Sequence, residues 1–149
     1  LLKISLLIGV MGATTSTHRV SFSEMQQHTM VNSSSIIIST LPVNKQHCLL
    51  PRTVLPQHEE KIINETISKD KNAIVIVYGT NCNDLSVDRK HKQLIGLGLI
   101  NAKIYTGGMF EWLCLQEIFG ETNFPCDGSE LDLLLYQTDN SQVKLLTNG

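Results

Sequence analysis

The chain has 149 residues, a formal net charge of −2 and 42% hydrophobic residues. This length suits one domain with a substantial core, and the composition is ordinary for a soluble protein. No basic patch is interleaved with aromatic residues, so nothing indicates a nucleic-acid partner. The four cysteines are Cys48, Cys82, Cys114 and Cys126. They are widely spaced, with neither a C-x-x-C pair nor the spacing of a zinc site. This pattern indicates a reducing compartment and predicts no metal or other cofactor.

Residues 1–17 are interpreted as a segment outside the domain. Leu1 to Val10 is mostly apolar, but it is too short to span a bilayer and fits only the hydrophobic region of a signal peptide. The stretch from Met11 to Ser16 matches the N-myristoylation pattern, with Gly12 as the lipid acceptor if translation starts at Met11. Because one myristoyl group binds membranes only marginally, we expect a cytoplasmic protein with at most weak membrane association.

The first half of the domain reads as short strands and two helices. A brief strand is predicted near 18–21, and the capping-box pattern from Ser21 to Glu24 predicts a helix through about residue 30. The β-branched run 34–40 predicts a buried strand. Residues 46–55 read as a loop with a brief extended piece, and helical spacing of isoleucines predicts a helix over 57–68.

The second half alternates strands with helices. The aliphatic run 73–78 predicts a parallel strand covered on both faces. A helix over 84–95 follows, with its inward side chains predicted to be Leu85, Leu94 and Leu97. A strand over 102–105, a helix over 109–119, a last helix or strand over 129–136 and a polar tail from residue 137 to 149 complete the chain. This order predicts an α/β domain with a parallel sheet and right-handed crossovers.

The loop after the strand 73–78 contains Cys82. Open α/β sheets place their sites at the carboxyl ends of their strands, so this loop is the predicted functional site.

The central segments also resemble a known family. An aliphatic strand ending at Tyr78, then Leu97-Gly98, a short strand, Gly107-Gly108 and Trp112 follow one another as in rhodanese-like domains. A weaker likeness continues upstream, so that the resemblance spans roughly 20–119. It implies a rhodanese-like three-layer fold over residues 18–136, with a central, mostly parallel sheet flanked by helices.

The resemblance implies sulfur transfer. A rhodanese cysteine takes sulfur from a small sulfur-containing anion, becomes a persulfide and passes the sulfur to a thiol acceptor. Carried over to this sequence, Cys82 is the nucleophile. Backbone amides of the loop and of the following helix would hold the thiolate and persulfide. The predicted cradle comprises Gly79, Thr80, Asn81, Asn83, Asp84, Leu85 and Ser86.

Two departures from the family pattern support an alternative. The family's cysteine directly follows the strand, whereas Gly79 stands there in this chain, and Asp84 and Asp88 bring negative charge that repels an anionic donor. The alternative is a catalytically inactive rhodanese-like module that binds a protein partner or regulates one.

A dual-specificity phosphatase loop needs five residues between cysteine and arginine, whereas six separate Cys82 from Arg89. Arsenate reduction would use the same cysteine.

Overall fold

The computed structural model describes residues 18–138. The predicted start at Met11, the lipid acceptor Gly12 and residues 139–149 of the polar tail lie outside that range. The strands are β1 (Arg19–Val20), β2 (Ile36–Ser39), β3 (Cys48–Leu49), β4 (Thr53–Val54), β5 (Val75–Tyr78), β6 (Ala102–Tyr105) and β7 (Asp127–Gly128). The helices are α1 (Phe22–His28), α2 (Pro56–Lys69), α3 (Leu85–Gly96) and α4 (Gly108–Phe119), with 3-10 turns at Val43–Lys45 and Leu133–Tyr136.

Five of the strands form one parallel sheet in the order β1-β6-β5-β2-β4. The predicted central parallel sheet is therefore confirmed. Strands β3 and β7 pair antiparallel as a separate two-stranded sheet. Within residues 18–138, no helix is both long and apolar enough to cross a bilayer.

Side chains of the sheet alternate between two cores, as the pleat requires. Ile37 and Ile76 contribute to one core, together with residues of α1 and α4 such as Met25 and Trp112. Neighbouring strand residues contribute to the other core, which α2 and α3 cover. The sheet thus lies between two helical layers, which confirms the predicted three-layer α/β architecture.

The bounds of most predicted elements are close to the observed ones, and the capping box is confirmed. Ser21 Oγ accepts from the Glu24 amide, and the Glu24 carboxylate accepts from the Ser21 amide. The segment 46–55 was predicted as a loop with one brief extended piece, whereas it forms two strands, β3 and β4, and β4 completes the edge of the main sheet. Each is two residues long, so neither produces a readable alternation in the sequence.

The inward face of α3 differs from the prediction at two of three positions. Leu94 is fully buried as expected, but Leu85 is 64% exposed and Leu97 is 46% exposed. Val87 lies inward instead, seven residues before Leu94 and therefore on the same face. The reason is the helix start: Asp84 is the N-cap residue, which places Leu85 in the first turn on the solvent side.

The centre of the main sheet is a topological switch point. From β2 the chain passes to β4 on one side, whereas from β5 it passes to β6 on the other side. The loops that follow β2 and β5 therefore diverge and leave a crevice between them. Ligand sites of open α/β sheets lie in such crevices.

Candidate functional site

The loop from β5 to α3 is organised by the carboxylate of Asp84. Its Oδ2 accepts from the Thr80 amide at 2.9 Å, and its Oδ1 accepts from the Ser86 amide at 3.0 Å. The Ser86 hydroxyl also bonds to Oδ1 and lies 2.8 Å from the Thr40 hydroxyl at the end of β2. A carboxylate is a strong acceptor at a helix N-terminus, where amides have no intrahelical partner.

The ionised form of Asp84 is favoured in the fold. Burial opposes ionisation, but hydrogen bonds from Ser86 and Thr80 outweigh it and hold the pKa of the Asp84 carboxyl below its usual value. The loop therefore contains a fixed negative charge of its own.

Most amides of the predicted cradle already have acceptors within the loop. The Asn83 amide donates to Asn81 Oδ1, the Asp84 amide to the Asn81 carbonyl, and the Thr80 and Ser86 amides to Asp84. The Asn81 side chain is fixed in turn, because its Nδ2 donates to the Tyr136 carbonyl at 2.9 Å. Four of the amides expected to hold a persulfide are thus engaged by the protein itself.

Gly79 occupies the position directly after the strand, and the structure leaves no space for a side chain there. A Cβ at position 79 would overlap the Asp84 carboxylate and would lie 2.8 Å from Thr40 Oγ1. A cysteine at this family position would therefore compete with Asp84 for the same volume.

The N-terminus of α4 is hydrogen-bonded to the backbone of the loop. The amides of Met109 and Phe110 donate to the carbonyls of Gly79 and Thr80, each at 3.0 Å. Gly108 has φ of 64°, and a Cβ there would lie 2.6 Å from the Gly79 carbonyl oxygen. The glycine is required because the backbones of the loop and of α4 meet at this point.

Cys82 lies on the outer side of the loop, where its thiol is exposed. It borders a recess of about 40 Å³, which holds little more than one water. Arg19 and Asp88 also line this recess, and the Arg19 guanidinium donates to Thr106 Oγ1 at 2.7 Å. The Cys82 recess, as we call it, faces β6 and β1 and not the switch point.

A larger cavity of about 570 Å³ lies on the other side of Asp84, where the loops after β2 and β5 diverge. We call it the switch-point crevice. Most of its lining residues are of polar type and one is a cation; they include Thr40, Pro42, Lys45, Asn81, Asn83, Asp84, Ser86 and Gln137. The Lys45 ammonium lies 5.5 Å from the centre of the Tyr136 ring, which places it at the rim.

Arg89 lies away from Cys82. It lines a separate groove of about 550 Å³ beside α2, together with Lys90 and Glu59, which form an ion pair. The structure therefore does not bring Cys82 and Arg89 to one phosphate cradle. In the part of the chain that the structure describes, no three His, Cys, Asp or Glu side chains are grouped to hold a metal ion.

The sequence predicted a site in the loop after β5, but it did not point to three residues that lie around this loop: Thr40, Lys45 and Arg19. Thr40 directly follows β2, so the rule that sites lie at the carboxyl ends of strands would have found it. Lys45 and Arg19 are placed by the 3-10 turn and by β1, and neither has a local sequence signal.

The fold and the site define an α/β domain whose loops diverge at a switch point of a parallel sheet. No family model matches the sequence, and no curated protein matches it. Among solved structures, the chain is similar to the BH2092 protein from Bacillus halodurans, with a TM-score of 0.59 and 12% identity. The alignment covers 97% of this chain and 98% of that one. At this identity the likeness shows the fold alone.

Proposed function

We propose that this protein is a rhodanese-like module that binds a protein partner at the switch-point crevice and does not transfer sulfur. The observation that carries the proposal is the Asp84 carboxylate, which accepts from the Thr80 and Ser86 amides. Those amides are where the resemblance places the sulfur cradle.

The chemistry of sulfur transfer explains why this matters. A persulfide is an anion that needs free backbone donors, and its donor, such as thiosulfate, is an anion too. Here the donors are occupied by a carboxylate whose pKa is held low by the same hydrogen bonds. An anionic donor approaching this loop meets a fixed like charge, and the amides of Thr80 and Ser86 are already bonded to it.

The crevice suits a polar peptide segment. Its volume of about 570 Å³ accommodates several side chains, and the side-chain amides of the exposed residues Asn83 and Gln137 offer donors and acceptors. Lys45 adds one positive charge at the rim, which favours a partner with an acidic residue at that point.

The first test measures persulfide formation. The protein is incubated with thiosulfate or polysulfide, the sulfurs are trapped by alkylation, and each cysteine is read by mass spectrometry. Cys114 on α4 is partly exposed and lies outside the loop, so it serves as an internal control. We expect Cys82 to carry no more persulfide than Cys114. Preferential loading of Cys82 followed by transfer to a thiol would contradict the proposal.

The second test examines partner binding at the crevice. A photo-crosslinking residue at position 83 probes the crevice, and the same residue at position 65, exposed on α2, is the matched control. In extracts of the source cells we expect an adduct from position 83 only, and we expect Lys45→Glu to weaken it. Identical adducts from both positions would argue against a crevice partner.

A second candidate function rests on the exposure of Cys82. A thiol at the surface beside Arg19 could carry a persulfide without a buried cradle, because the guanidinium would offset part of the negative charge. Arg19→Gln distinguishes this candidate, since it would then lower persulfide occupancy at Cys82 and leave Cys114 unchanged. The persulfide measurement above thus decides between the two functions.

A further inference from the structure

The second sheet brings together two cysteines that are far apart in the sequence. Cys48 in β3 pairs with Gly128 of β7, and Leu49 pairs with Asp127. Continuing this antiparallel register by one residue places Cys126 opposite Leu50. Because side chains alternate along a strand, Cys48 and Cys126 point to the same face.

Gly128 makes this juxtaposition close. It stands directly opposite Cys48 and has no side chain, so Cys126 is the next cross-strand side chain on that face. A Cβ at Gly128, where φ is +93°, would overlap the carbonyl of His47. The two backbones therefore approach each other at a point where only glycine fits.

Cys48 lies in one hydrophobic core cluster, and Cys126 packs against that cluster. Interaction with the Cys126 thiol lowers the pKa of the Cys48 thiol, although burial opposes its ionisation, and interaction with Cys48 raises the pKa of the Cys126 thiol. Cys48 is therefore the thiol of the pair that loses its proton first. Cys48 is fully buried, whereas Cys126 is partly exposed and can meet a small solute.

A buried hydroxyl nearby has no acceptor. Tyr136 Oη is the one buried side-chain nitrogen or oxygen without a hydrogen-bond partner among residues 18–138. Burial, followed by the charges of Cys48, Glu130 and Cys126, raises the pKa of Tyr136 to about 12, so it remains a donor. An unused buried donor costs stability, and a sulfur anion on this pair would provide an acceptor.

We propose that Cys48 and Cys126 form a redox-active dithiol, a site that hydrogen peroxide converts into an intramolecular disulfide. The Cys126 thiol passes its proton to the Cys48 thiolate, and the Cys126 sulfur attacks one peroxide oxygen. The O–O bond breaks, and the other oxygen leaves as hydroxide, which takes a proton from solvent to become water. Cys126 is then a sulfenic acid. The Cys48 sulfur attacks it, the S–S bond forms and the S–O bond breaks, and the hydroxyl leaves as a second water with the Cys48 proton. Two thiols are oxidised by two electrons and one peroxide is reduced to two waters.

The bond requires a small movement of β7. Diagonal cross-strand neighbours have Cα atoms some 7–8 Å apart, whereas disulfides span about 4.4–6.8 Å, so the strands must approach by roughly 1 Å. Cys126 directly precedes β7, which is exposed and only two residues long. The disulfide would fix the segment around Pro125, whose carbonyl accepts from Trp112 Nε1 at 2.9 Å.

The test uses the unmutated protein. Reduced protein is treated with hydrogen peroxide, the remaining thiols are alkylated, and non-reducing digestion with mass spectrometry identifies the linked cysteines. We expect one peptide pair joining Cys48 to Cys126, lighter by two hydrogen atoms and restored by dithiothreitol. The same link is expected after Cys82→Ser with Cys114→Ser, which removes the other two thiols.

Two further measurements establish whether the folded site is responsible. In Cys48→Ser we expect Cys126 to accumulate sulfenic acid that dimedone traps, because the resolving thiol is missing. In urea the rate of link formation should fall at least tenfold. No Cys48–Cys126 link in peroxide-treated protein, or a link that forms equally fast in urea, would overturn the proposal. Neither result depends on whether Cys82 transfers sulfur.

Discussion

Replacement of Asp84 by alanine tests the organisation of the candidate site most directly. The substitution removes the N-cap of α3 and the acceptor for the amides of Thr80 and Ser86. Loss of the N-cap bond to the Ser86 amide costs about 1 kcal/mol, and the Thr80 amide left without an acceptor adds about 1 kcal/mol. We expect Asp84→Ala to lower the free energy of unfolding by about 2 kcal/mol.

The matched control is Asp88→Asn. Asp88 is also acidic and lies in the first turn of α3, but it is exposed and interacts with the helix dipole only through its charge. Its loss should cost about 0.3–1 kcal/mol. Urea denaturation gives both free-energy changes, provided that the slope of the unfolding free energy against urea concentration is the same in each variant. A different slope would show that the denatured state has changed.

The pH dependence gives the same prediction an independent check. The pKa of Asp84 is lowered in the fold, so the stability that it contributes is present above the unfolded value of about 3.9 and is lost as the pH falls through the folded value. The difference between Asp84→Asn and the unmutated protein should therefore shrink as the pH is lowered below about 4. If Asp84→Ala costs no more than Asp88→Asn, or if its cost does not depend on pH, the carboxylate does not organise this loop.

Three further substitutions test the packing around the site. Gly108→Ala places a Cβ against a backbone carbonyl at positive φ and should cost about 2 kcal/mol or more of stability. Gly96→Ala, with open space around it, should stabilise the protein by about 0.5–1 kcal/mol. Thermal melts distinguish the two, because the melting temperature should fall in the first variant and rise in the second. Val87→Ala should cost roughly 2 kcal/mol because Val87 is buried, and Leu85→Ala less than about 0.5 kcal/mol; equal losses in urea would show that the face of α3 is assigned wrongly. Tyr78→Phe leaves a buried amide without its acceptor at 3.1 Å and should cost about 1–3 kcal/mol, and an unchanged urea midpoint would contradict that hydrogen bond.

Local sequence determined the elements that carry strong patterns. The aliphatic run before Gly79 predicts β5, and the hydroxyl-to-glutamate spacing from Ser21 to Glu24 predicts the start of α1. Both patterns act over a few neighbouring residues, so their physical cause is contained in the sequence itself. The alternation of such elements was enough to predict a parallel sheet, and the three layers were what the resemblance implied.

Tertiary structure decided what the site contains. The sequence places Cys82 and Asp84 in one loop, but only the fold shows that the carboxylate takes the amides while the thiol is exposed. The three-dimensional path of the backbone determines which acceptor each amide of a loop bonds to. Composition and spacing do not specify that path.

The same holds for contacts between distant segments. Strands β3 and β7 are too short for a periodic signal, so the approach of Cys48 to Cys126 follows from their pairing alone. Likewise Thr40 meets Ser86 because β2 and β5 are neighbours in the sheet. Sequence determined which elements form, because that depends on neighbouring residues; the fold decided which side chains meet, because that depends on how distant elements pack.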